Sequence, residues 1–446
     1  MQSLKNIFKG NQRTVLIKKN IIASMIIKGW NSFVQFLLVP ITLLCLNQYE
    51  YGIWLTINSF LLWIDQCDIG LGNGLRNKLA EALAHNEFQR ARILTSTTFL
   101  MLFIIVIPLI AFLLLLVDTI DCYKLFNVTS STLPNLSNIL KVSITFVGIT
   151  FIFKFVNNIY SGLQLPAISN LLITLGKTLS LICISCMAYM GVNSLLAIAI
   201  AYTAPPLLVY LLAYPITFHY HKQLKPSICL FKRTELKDLF SLGIQFFGVQ
   251  IAGAVIFASS NLIISKLLSP TAVTPYQITY NYFCVPLMVF MLIVTPLWSA
   301  TTDAYNKGEW DWIKNAERKM RKVVIYFMLL LIIMIIAAPV VYHIWIGDNI
   351  IISTSLNIMM GIYIAIVIFS LCYSNILYGI GKIRLLTMVT ILEAILFLPL
   401  ATYLGKQFGT LGIVLALILV NSLCAITNFI QYYKLSHGSA IGIWNK

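Results

Sequence analysis

The sequence predicts an all-α integral membrane protein with twelve transmembrane helices in two repeated six-helix lobes around a central cavity. Three features lead to this fold class: the composition, the spacing of the apolar segments and an internal repeat. Of the 446 residues, 59% are hydrophobic and only 10% are charged, and the mean hydropathy is +0.87. Soluble domains carry about 25% charged residues, so this composition is typical of a membrane protein.

Apolar runs of about 20 residues recur along the whole chain, and a helix needs this length to cross about 30 Å of hydrocarbon. Helices are expected because such a segment must satisfy its own backbone hydrogen bonds in lipid. The first run is too long for a signal-peptide core, so we expect it to stay in the membrane. The predicted spans lie near residues 20–45, 51–71, 96–117, 138–160, 169–189, 194–217, 239–267, 276–299, 323–345, 353–378, 384–404 and 409–432.

The distribution of Lys and Arg predicts the orientation. With the N-terminus in the cytoplasm, 24 of the 31 Lys and Arg residues fall on the cytoplasmic side and four on the outer side. Because cytoplasmic loops carry the excess of Lys and Arg, this asymmetry favours twelve spans with both termini in the cytoplasm. The net charge of +16 then faces anionic lipid head groups, so membrane lipids are expected partners and nucleic acid is not.

An internal repeat organises the chain. Residues 75–92, "LRNKLAEALAHNEFQRAR", align with residues 297–314, "LWSATTDAYNKGEWDWIK", and both segments lie between a second and a third span. A second match pairs residues 160–172 with 377–389. Since six spans return the chain to its starting side, we predict an N-terminal six-helix lobe at 1–218, a basic cytoplasmic linker at 219–238 and a C-terminal six-helix lobe at 239–446.

The segment "DIGLGNGLRNKLAEAL" (68–83) contains three alternate glycines that resemble a phosphate-binding loop. A dinucleotide loop has the spacing G-x-G-x-x-G and lies between a buried strand and a helix, and neither condition holds here. A helix end with glycine in the left-handed conformation is the better interpretation. Leu75, Leu79 and Ala82 then form one side of a short amphipathic helix at the interface, and Asn86 is predicted to cap the following helix.

No pattern in the sequence indicates an enzyme. The nine cysteines are scattered, and the pair Cys183 and Cys186 has no second pair or His partner, so neither a disulfide framework nor a metal site is expected. We therefore predict no catalytic residues, no metal ligands and no cofactor.

Five charged residues lie at least six residues from the ends of the predicted spans, where a charge costs at least about 2.5–3.5 kcal/mol and indicates a functional site. Neighbouring polar residues share helical faces with three of them, at spacings of three or four residues, so these faces are expected to line the bundle interior or a cavity. The charged residues are Lys28, Asp65, Lys154, Lys177 and Glu393, and the polar stripes include Asn31, Gln35, Asn157 and Asn158.

The segment "EYGIWLTINSFLLWIDQCDIGLGNGLRNKLAEALAHNEFQRAR" and the upstream "NIIASMIIKGWNSFVQFLLVPITLLCLNQYEYGIW" resemble the first two spans of bacterial polysaccharide flippases. These flippases are O-antigen and capsule repeat-unit translocases of the multidrug/oligosaccharidyl-lipid/polysaccharide exporter superfamily. The resemblance implies transport of a polyprenyl-pyrophosphate-linked oligosaccharide from the inner to the outer leaflet of the bacterial inner membrane. It also implies alternating access and coupling to a proton or sodium gradient, and other polysaccharide-assembly proteins are possible partners.

Of these five charged residues, four lie in the N-terminal lobe and three of the four are lysines. This suits an anionic pyrophosphate because ammonium groups in a low-dielectric cavity can replace its hydration. The predicted substrate-binding residues are Lys28, Lys177, Lys154, Asp65, Asn31, Gln35, Asn157 and Asn158. Lys154 can instead snorkel to the interface. Asp65 can instead form a structural ion pair with Lys28 or take part in ion coupling.

Glu393 is the one charged residue of the C-terminal lobe that lies at least six residues from the ends of a predicted span. A buried carboxylate there can bind a proton, bind Na⁺ or serve as a structural hydrogen-bond acceptor. Three alternative functions stay open at this point. A cation-coupled drug exporter would favour an acidic or aromatic cavity, a passive channel could use polar stripes, and a membrane scaffold would need no lysines at mid-membrane depth.

Overall fold

The computed structural model describes the backbone of residues 12–64 and 70–445, and the side chains of these residues except 12–21, 237, 241–250, 257 and 299. Within these ranges the chain forms α-helices with short 3₁₀ turns and no strand. The chain divides into two compact units, Met1–Phe247 and Gly248–Lys446. The predicted domain boundaries at 218/219 and 238/239 remain a prediction.

The first unit contains nine helices and the beginning of a tenth among its described residues. They are α1 (Gln12–Cys45), α2 (Gln48–Ile64), α3 (Leu71–Ala84), α4 (Phe88–Thr119), α5 (Cys122–Phe126), α6 (Leu136–Phe153), α7 (Val156–Gly162), α8 (Pro166–Tyr189) and α9 (Leu195–Tyr220). The segment after α9 lies along the start of α4, where the backbone N–H of Ser227 donates to Ser96 Oγ (3.0 Å) and Arg92 Nε donates to the Lys225 carbonyl (3.0 Å).

Helix α10 begins in the first unit and ends in the second, which contains five further α-helices in the described part of the chain. These six helices are α10 (Arg233–Leu267), α11 (Pro270–Asn306), α12 (Trp310–Ile346), α13 (Thr354–Ile380), α14 (Arg384–Phe408) and α15 (Thr410–Ser436). Ser269 and Ser353 begin α11 and α13 by accepting the backbone N–H of the residue three positions on, as N-cap residues do.

Ten helices of the described chain are long and apolar enough to span a membrane. The other two predicted spans correspond to α2, of 17 residues, and to the apolar segment Ile251–Leu267 of α10. The protein is therefore a multi-pass membrane protein. Residues 65–69 of the second predicted span lie outside the described residues, and the next described helix, α3, begins at Leu71.

The backbone carries the predicted repeat with a constant offset of 222 residues through the first three spans. Helix α1 ends at Cys45 and α10 at Leu267, while α2 begins at Gln48 and α11 at Pro270. Even the caps correspond. Asn47 Oδ1 accepts the Glu50 N–H (2.9 Å), and Ser269 Oγ accepts the Ala272 N–H (3.3 Å).

The turn before the third span is also repeated. Asn86 and Gly308 both have positive φ, 60° and 75°, and the N–H of the next residue bonds a carbonyl five positions back, from Glu87 to Ala82 (2.8 Å) and from Glu309 to Ala304 (2.9 Å). The prediction that Asn86 caps the next helix was wrong. Asn86 takes the left-handed conformation, so Glu87 occupies the N-cap position of α4, without a side-chain cap bond.

A glycine at the end of the fourth span packs against this elbow in both units. A Cβ on Gly162 would lie 3.0 Å from Leu79 Cδ2 and 3.2 Å from the Arg76 carbonyl oxygen, and one on Gly379 would lie 2.5 Å from Thr301 Cβ and 2.8 Å from the Trp298 carbonyl oxygen. Leu79 and Thr301 are again 222 residues apart. Glycine at both positions permits this close approach of the fourth span to the elbow, so the contact is a repeated feature of the two units.

The glycine-rich segment serves this elbow. Gly70 has φ 78° at the start of α3, a conformation that glycine adopts at no steric cost. The predicted amphipathic helix is present, with Leu75, Leu79 and Ala82 fully buried. Gly74 lies within α3 against the backbone carbonyl of Leu239, where a side chain would collide.

Candidate functional site

The predicted cationic site centres on the contact between α1 and α8. Lys177 Nζ donates a hydrogen bond to Gln35 Oε1 at 3.2 Å, and both side chains are half-buried. Lys177 is eleven residues from the start of α8, or roughly 17 Å along the helix, and therefore lies near its middle. Gly176 allows α8 to approach α9, because a Cβ there would be 3.0 Å from Pro206 Cα. The close contact of α8 with α9 at Gly176 therefore helps to position Lys177, the next residue on α8.

The rest of the polar stripe on α1 is divided between two environments. Asn31 is half-buried, and its Oδ1 atom is buried without a hydrogen-bond partner among the described residues. Lys28 is exposed at the surface of α1, one turn before Asn31. On the other side of the α1–α8 contact, Trp30 Nε1 donates to Thr178 Oγ1 at 3.2 Å. The structure therefore brings Gln35 and Lys177 together and leaves Lys28 accessible.

Lys154 lies at a break in the fourth span, between α6 and α7. The backbone around it uses 3₁₀-type hydrogen bonds, with the N–H of Asn157 bonded to the Lys154 carbonyl at 2.9 Å. Aromatic residues hold both flanks of this turn. Phe155 packs on Phe99 with ring centroids 4.6 Å apart, and Phe153 packs on Tyr214 at 5.5 Å. Because 3₁₀ turns within long helices often mark a functional hinge or strain, this break, which the sequence did not predict, supports the predicted role of Lys154.

Lys154 and Lys177 belong to consecutive spans of the first unit, which therefore places two ammonium groups inside its predicted spans. A charge at such a position is costly and marks a candidate functional site. The described hydrogen-bond partner of Lys177 is the uncharged Gln35. Asp65, a predicted member of the site, lies outside the described residues, as does any contact of it with Lys28.

Asn157 and Asn158 follow the break on α7. Asn157 is buried, and its Nδ2 donates to the Tyr210 hydroxyl at 2.6 Å, while its Oδ1 has no hydrogen-bond partner in the described structure. Asn158 is half-buried. Asn31 and Asn157 thus each offer a buried acceptor oxygen, a group that a hydroxyl or an amide of a ligand can satisfy.

Glu393 lies in a separate polar cluster of the second unit. The side chain is 3% exposed, and its Oε1 accepts the backbone N–H of Cys424 on α15 at 2.9 Å. Asn428, one turn further, donates to Ser374 Oγ at 2.8 Å. Two buried oxygens near this carboxylate, Asn428 Oδ1 and the Tyr363 hydroxyl, have no hydrogen-bond partner among the described residues.

The described residues contain no group of three His, Cys, Asp or Glu side chains with the arrangement of a metal site. The oxygen atoms around Glu393 are of the kind that bind a proton or a hard monovalent cation. Sequence reasoning found Glu393 because it is charged, and it missed Tyr363 and Asn428 because uncharged polar residues are common in spans. It also missed a run of amides formed by Asn261 on α10 and by Gln277 and Asn281 on α11. The spacing of the last two, one helical turn apart, was the available signal.

The fold has known counterparts. The chain superposes with a TM-score of 0.76 and 15% sequence identity on a solved structure described as the inward-facing conformation of a multidrug resistance MATE family transporter of the MOP superfamily. The match covers 93% of this chain and 95% of that one. The helical architecture is thus a membrane transporter fold built from two lobes.

The family is defined by the sequence. Residues 17–301 match the family model described as "Polysaccharide biosynthesis protein", and the chain belongs to this family. It is 20% identical over 413 residues to a putative O-antigen transporter of Salmonella typhi, covering 90% of this chain and 92% of that protein. It is also 23% identical over 392 residues to a putative O-antigen export protein of Yersinia pseudotuberculosis, covering 86% and 88%.

Proposed function

We propose that this protein is a flippase for polyprenyl-pyrophosphate-linked oligosaccharide repeat units, used in O-antigen, capsule or exopolysaccharide synthesis. It moves them from the inner to the outer leaflet of the bacterial inner membrane by alternating access, with both of its own termini in the cytoplasm. The observation that carries the proposal is the half-buried ammonium group of Lys177 near the middle of α8, bonded to the neutral Gln35 at 3.2 Å, with Lys154 at the break of the preceding span in the same unit.

The pyrophosphate group explains why the first unit has two lysines inside its predicted spans. Its charge must cross the hydrocarbon of the membrane, where an isolated ion loses a large hydration free energy. Ammonium groups donate charge-assisted hydrogen bonds to phosphate oxygens, and Lys177 is held by Gln35 with donor hydrogens left over, since an ammonium has three. Lys28 is accessible on the same helix as Gln35 and supplies a third positive charge to an arriving ligand.

Sugar recognition uses the uncharged members of the site. The buried acceptor oxygens of Asn31 and Asn157 match the hydroxyl donors of a sugar, and Asn158 lies beside Asn157. Asp65, predicted to bind substrate or a coupling ion, joins the same proposal on the grounds of its charge and its position in the chain.

Transport against a gradient needs an energy source, and Glu393 is the proposed coupling residue. The carboxylate is buried, has a backbone donor at 2.9 Å and lies near buried oxygen atoms with unused acceptor capacity. Binding of a proton or Na⁺ at this point neutralises the charge and stabilises one packing of α13, α14 and α15 relative to another, as a population shift requires.

The test is a deletion strain complemented with variants. Loss of the gene is expected to remove surface polysaccharide and to leave lipid-linked repeat units on the inner face. Lys177→Ala is expected to fail to restore export although folded protein reaches the membrane. The matched control is Lys266→Ala, which removes an exposed lysine at the end of α10 and should restore export fully. Repeat units that reach the outer face in normal amount in the deletion strain would contradict the proposal.

The likeness to a multidrug transporter structure supports one competing function, the export of cationic drugs. The half-buried Lys177 argues against it, because a cation would meet like charge. Drug resistance that rises with expression of the protein and persists in Lys177→Ala would favour this alternative. Under the flippase proposal, expression should confer no such resistance.

A further inference from the structure

A chain of three neutral amides links α10 and α11 in the second unit. Asn261 Nδ2 donates to Gln277 Oε1 at 2.8 Å, and Gln277 Nε2 donates to Asn281 Oδ1 at 2.9 Å. Asn261 is six residues before the end of α10, and Gln277 is seven residues after the start of α11, so both lie roughly 10 Å from these helix ends. Asn281 lies one turn deeper. We call these three residues the amide chain.

The shared fold does not require the amide chain. With the offset of 222 residues that relates the two units, the counterparts of Asn261, Gln277 and Asn281 are Val39, Leu55 and Ser59. Val39 and Leu55 are 2% and 9% exposed, and the Ser59 hydroxyl donates to the Leu55 carbonyl of its own helix at 2.9 Å. The first unit therefore packs the same helix pair with apolar side chains and without a bond between amides.

One member of the amide chain, Asn281, keeps donor capacity that no described residue uses. A carboxamide has two N–H donors and one oxygen acceptor. The Nδ2 group of Asn281 donates to none of the residues that the structure describes, and both Gln277 and Asn281 are half-buried rather than enclosed. Because a polar group exposed to hydrocarbon is costly, these amides should face water or a ligand.

The surroundings indicate a neutral ligand. Between residues 248 and 302 the sequence has a single charged residue, Lys266, at the end of α10. A cation would find no opposite charge on these two segments, and an anion would find only Lys266. Sugar hydroxyls are both donors and acceptors, and amides complement them without any change of charge.

We propose that the amide chain binds hydroxyl groups of the oligosaccharide carried by the lipid-linked substrate. This inference rests on the proposed function and assigns the amide chain to the sugar part of the substrate. The competing role is structural, because polar side chains also join helices within membranes.

The experiment measures the affinity of the purified full-length protein for three probes. They are the lipid-linked repeat unit extracted from the deletion strain, polyprenyl pyrophosphate without sugar, and the free oligosaccharide released by mild acid. Asn281→Ala should weaken binding of the two sugar-bearing probes about threefold to tenfold, which corresponds to one hydrogen bond, and should leave polyprenyl pyrophosphate binding unchanged. Asn421→Ala is the matched control, since this half-buried Asn donates only to Leu417 of its own helix at 2.8 Å.

Unchanged binding of the sugar-bearing probes by Asn281→Ala would overturn the inference, and so would an equal loss for all three probes. If the alanine variant fails to fold, Asn281→Ser replaces it, because the first unit has Ser59 at the matching position. Lys177→Ala should show the opposite pattern, with polyprenyl pyrophosphate affected most. If Lys177→Ala loses mainly polyprenyl pyrophosphate binding while Asn281→Ala leaves binding of the sugar-bearing probes unchanged, the inference fails and the flippase proposal stands. If no probe binds the wild-type protein, both fail.

Discussion

The two helical units share a backbone frame and differ in the polar chemistry attached to it. Helix ends, caps, the elbow turn and the glycine that packs on the elbow recur with a nearly constant offset. The ionisable residues do not. Helices α8 and α14 begin at Pro166 and Arg384, and alignment at these helix starts, 218 residues apart, places Ile395 where the first unit has Lys177.

This difference separates what builds the fold from what performs the function. Repeated features satisfy backbone hydrogen bonds or permit close packing, which any membrane bundle needs. The unrepeated features are a lysine pair in the first unit and a buried Glu393 with neutral amides in the second. A residue that costs stability in a membrane and is absent from the matching position in the other unit is the strongest candidate for function.

The largest expected effect comes from giving the first unit the side chain of the second at this position. Lys177→Ile should reduce surface polysaccharide at least tenfold, because a charge-assisted hydrogen bond to phosphate contributes about 1.5–3 kcal/mol. Export is measured by surface polysaccharide staining, with protein abundance in the membrane as a control. Lys177→Arg should retain part of the export. Full export by Lys177→Ile would show that the lysine pair is not needed for export.

The second prediction concerns the carboxylate of the second unit. Glu393→Gln keeps a hydrogen-bond acceptor for the Cys424 N–H but cannot be charged. We expect substrate binding to stay within about twofold of wild type and export to fall about tenfold, since only coupling is lost. The measurement is export against imposed proton and sodium gradients in vesicles. If the variant responds to the gradient like wild type, Glu393 is a structural residue.

The third prediction tests the shared frame. Gly379→Ala should destabilise the protein by about 1–3 kcal/mol, the usual cost of overpacking, because the added Cβ would be 2.5 Å from Thr301 Cβ. Gly162→Ala should cost less, since its closest neighbour is the flexible end of Leu79 at 3.0 Å. Thermal unfolding in detergent measures both. Gly253→Ala is the control, with open space around its Cβ, and equal losses in all three variants would show that packing on the elbow is not the cause.

The smallest expected effect lies on the elbow of the first unit. The hydrogen bond from Lys78 (2.8 Å), followed by the charges of Lys78 and Arg90, lowers the pKa of Glu81. A lowered pKa stabilises the fold above the ordinary carboxylate value of about 4.3, and this contribution is lost as the pH falls below it. Because the pair is exposed, Glu81→Gln should cost no more than about 0.5 kcal/mol at pH 7.

A double-mutant cycle with Lys78→Ala, measured by thermal unfolding at pH 7 and pH 4, isolates this pair. The coupling energy should be detectable at pH 7 and smaller at pH 4. A coupling that grows on acidification would have the wrong sign for a lowered pKa, and the ion pair would then not be its source.

The sequence predicted the helical frame well because apolar length and the Lys and Arg distribution act over whole segments. It also located the elbow, since Leu75, Leu79 and Ala82 follow a helical period. It did not predict the break at Lys154, which is held by Phe99, Phe155 and other rings that are distant in sequence. Nor did it predict the amide chain, because Asn261 and Gln277 meet only when α10 and α11 pack side by side.

The most direct test of the central claim is translocation by the purified protein in sealed proteoliposomes. Lipid-linked repeat units are incorporated on both faces, and an impermeant glycosidase outside reports the fraction that becomes accessible over time. The account predicts that wild-type protein makes the protected fraction accessible and that Lys177→Ala leaves it protected, as in protein-free vesicles. Equal rates for wild type and Lys177→Ala would contradict the role of the lysine pair, and no movement with wild-type protein under any imposed gradient would contradict the flippase itself.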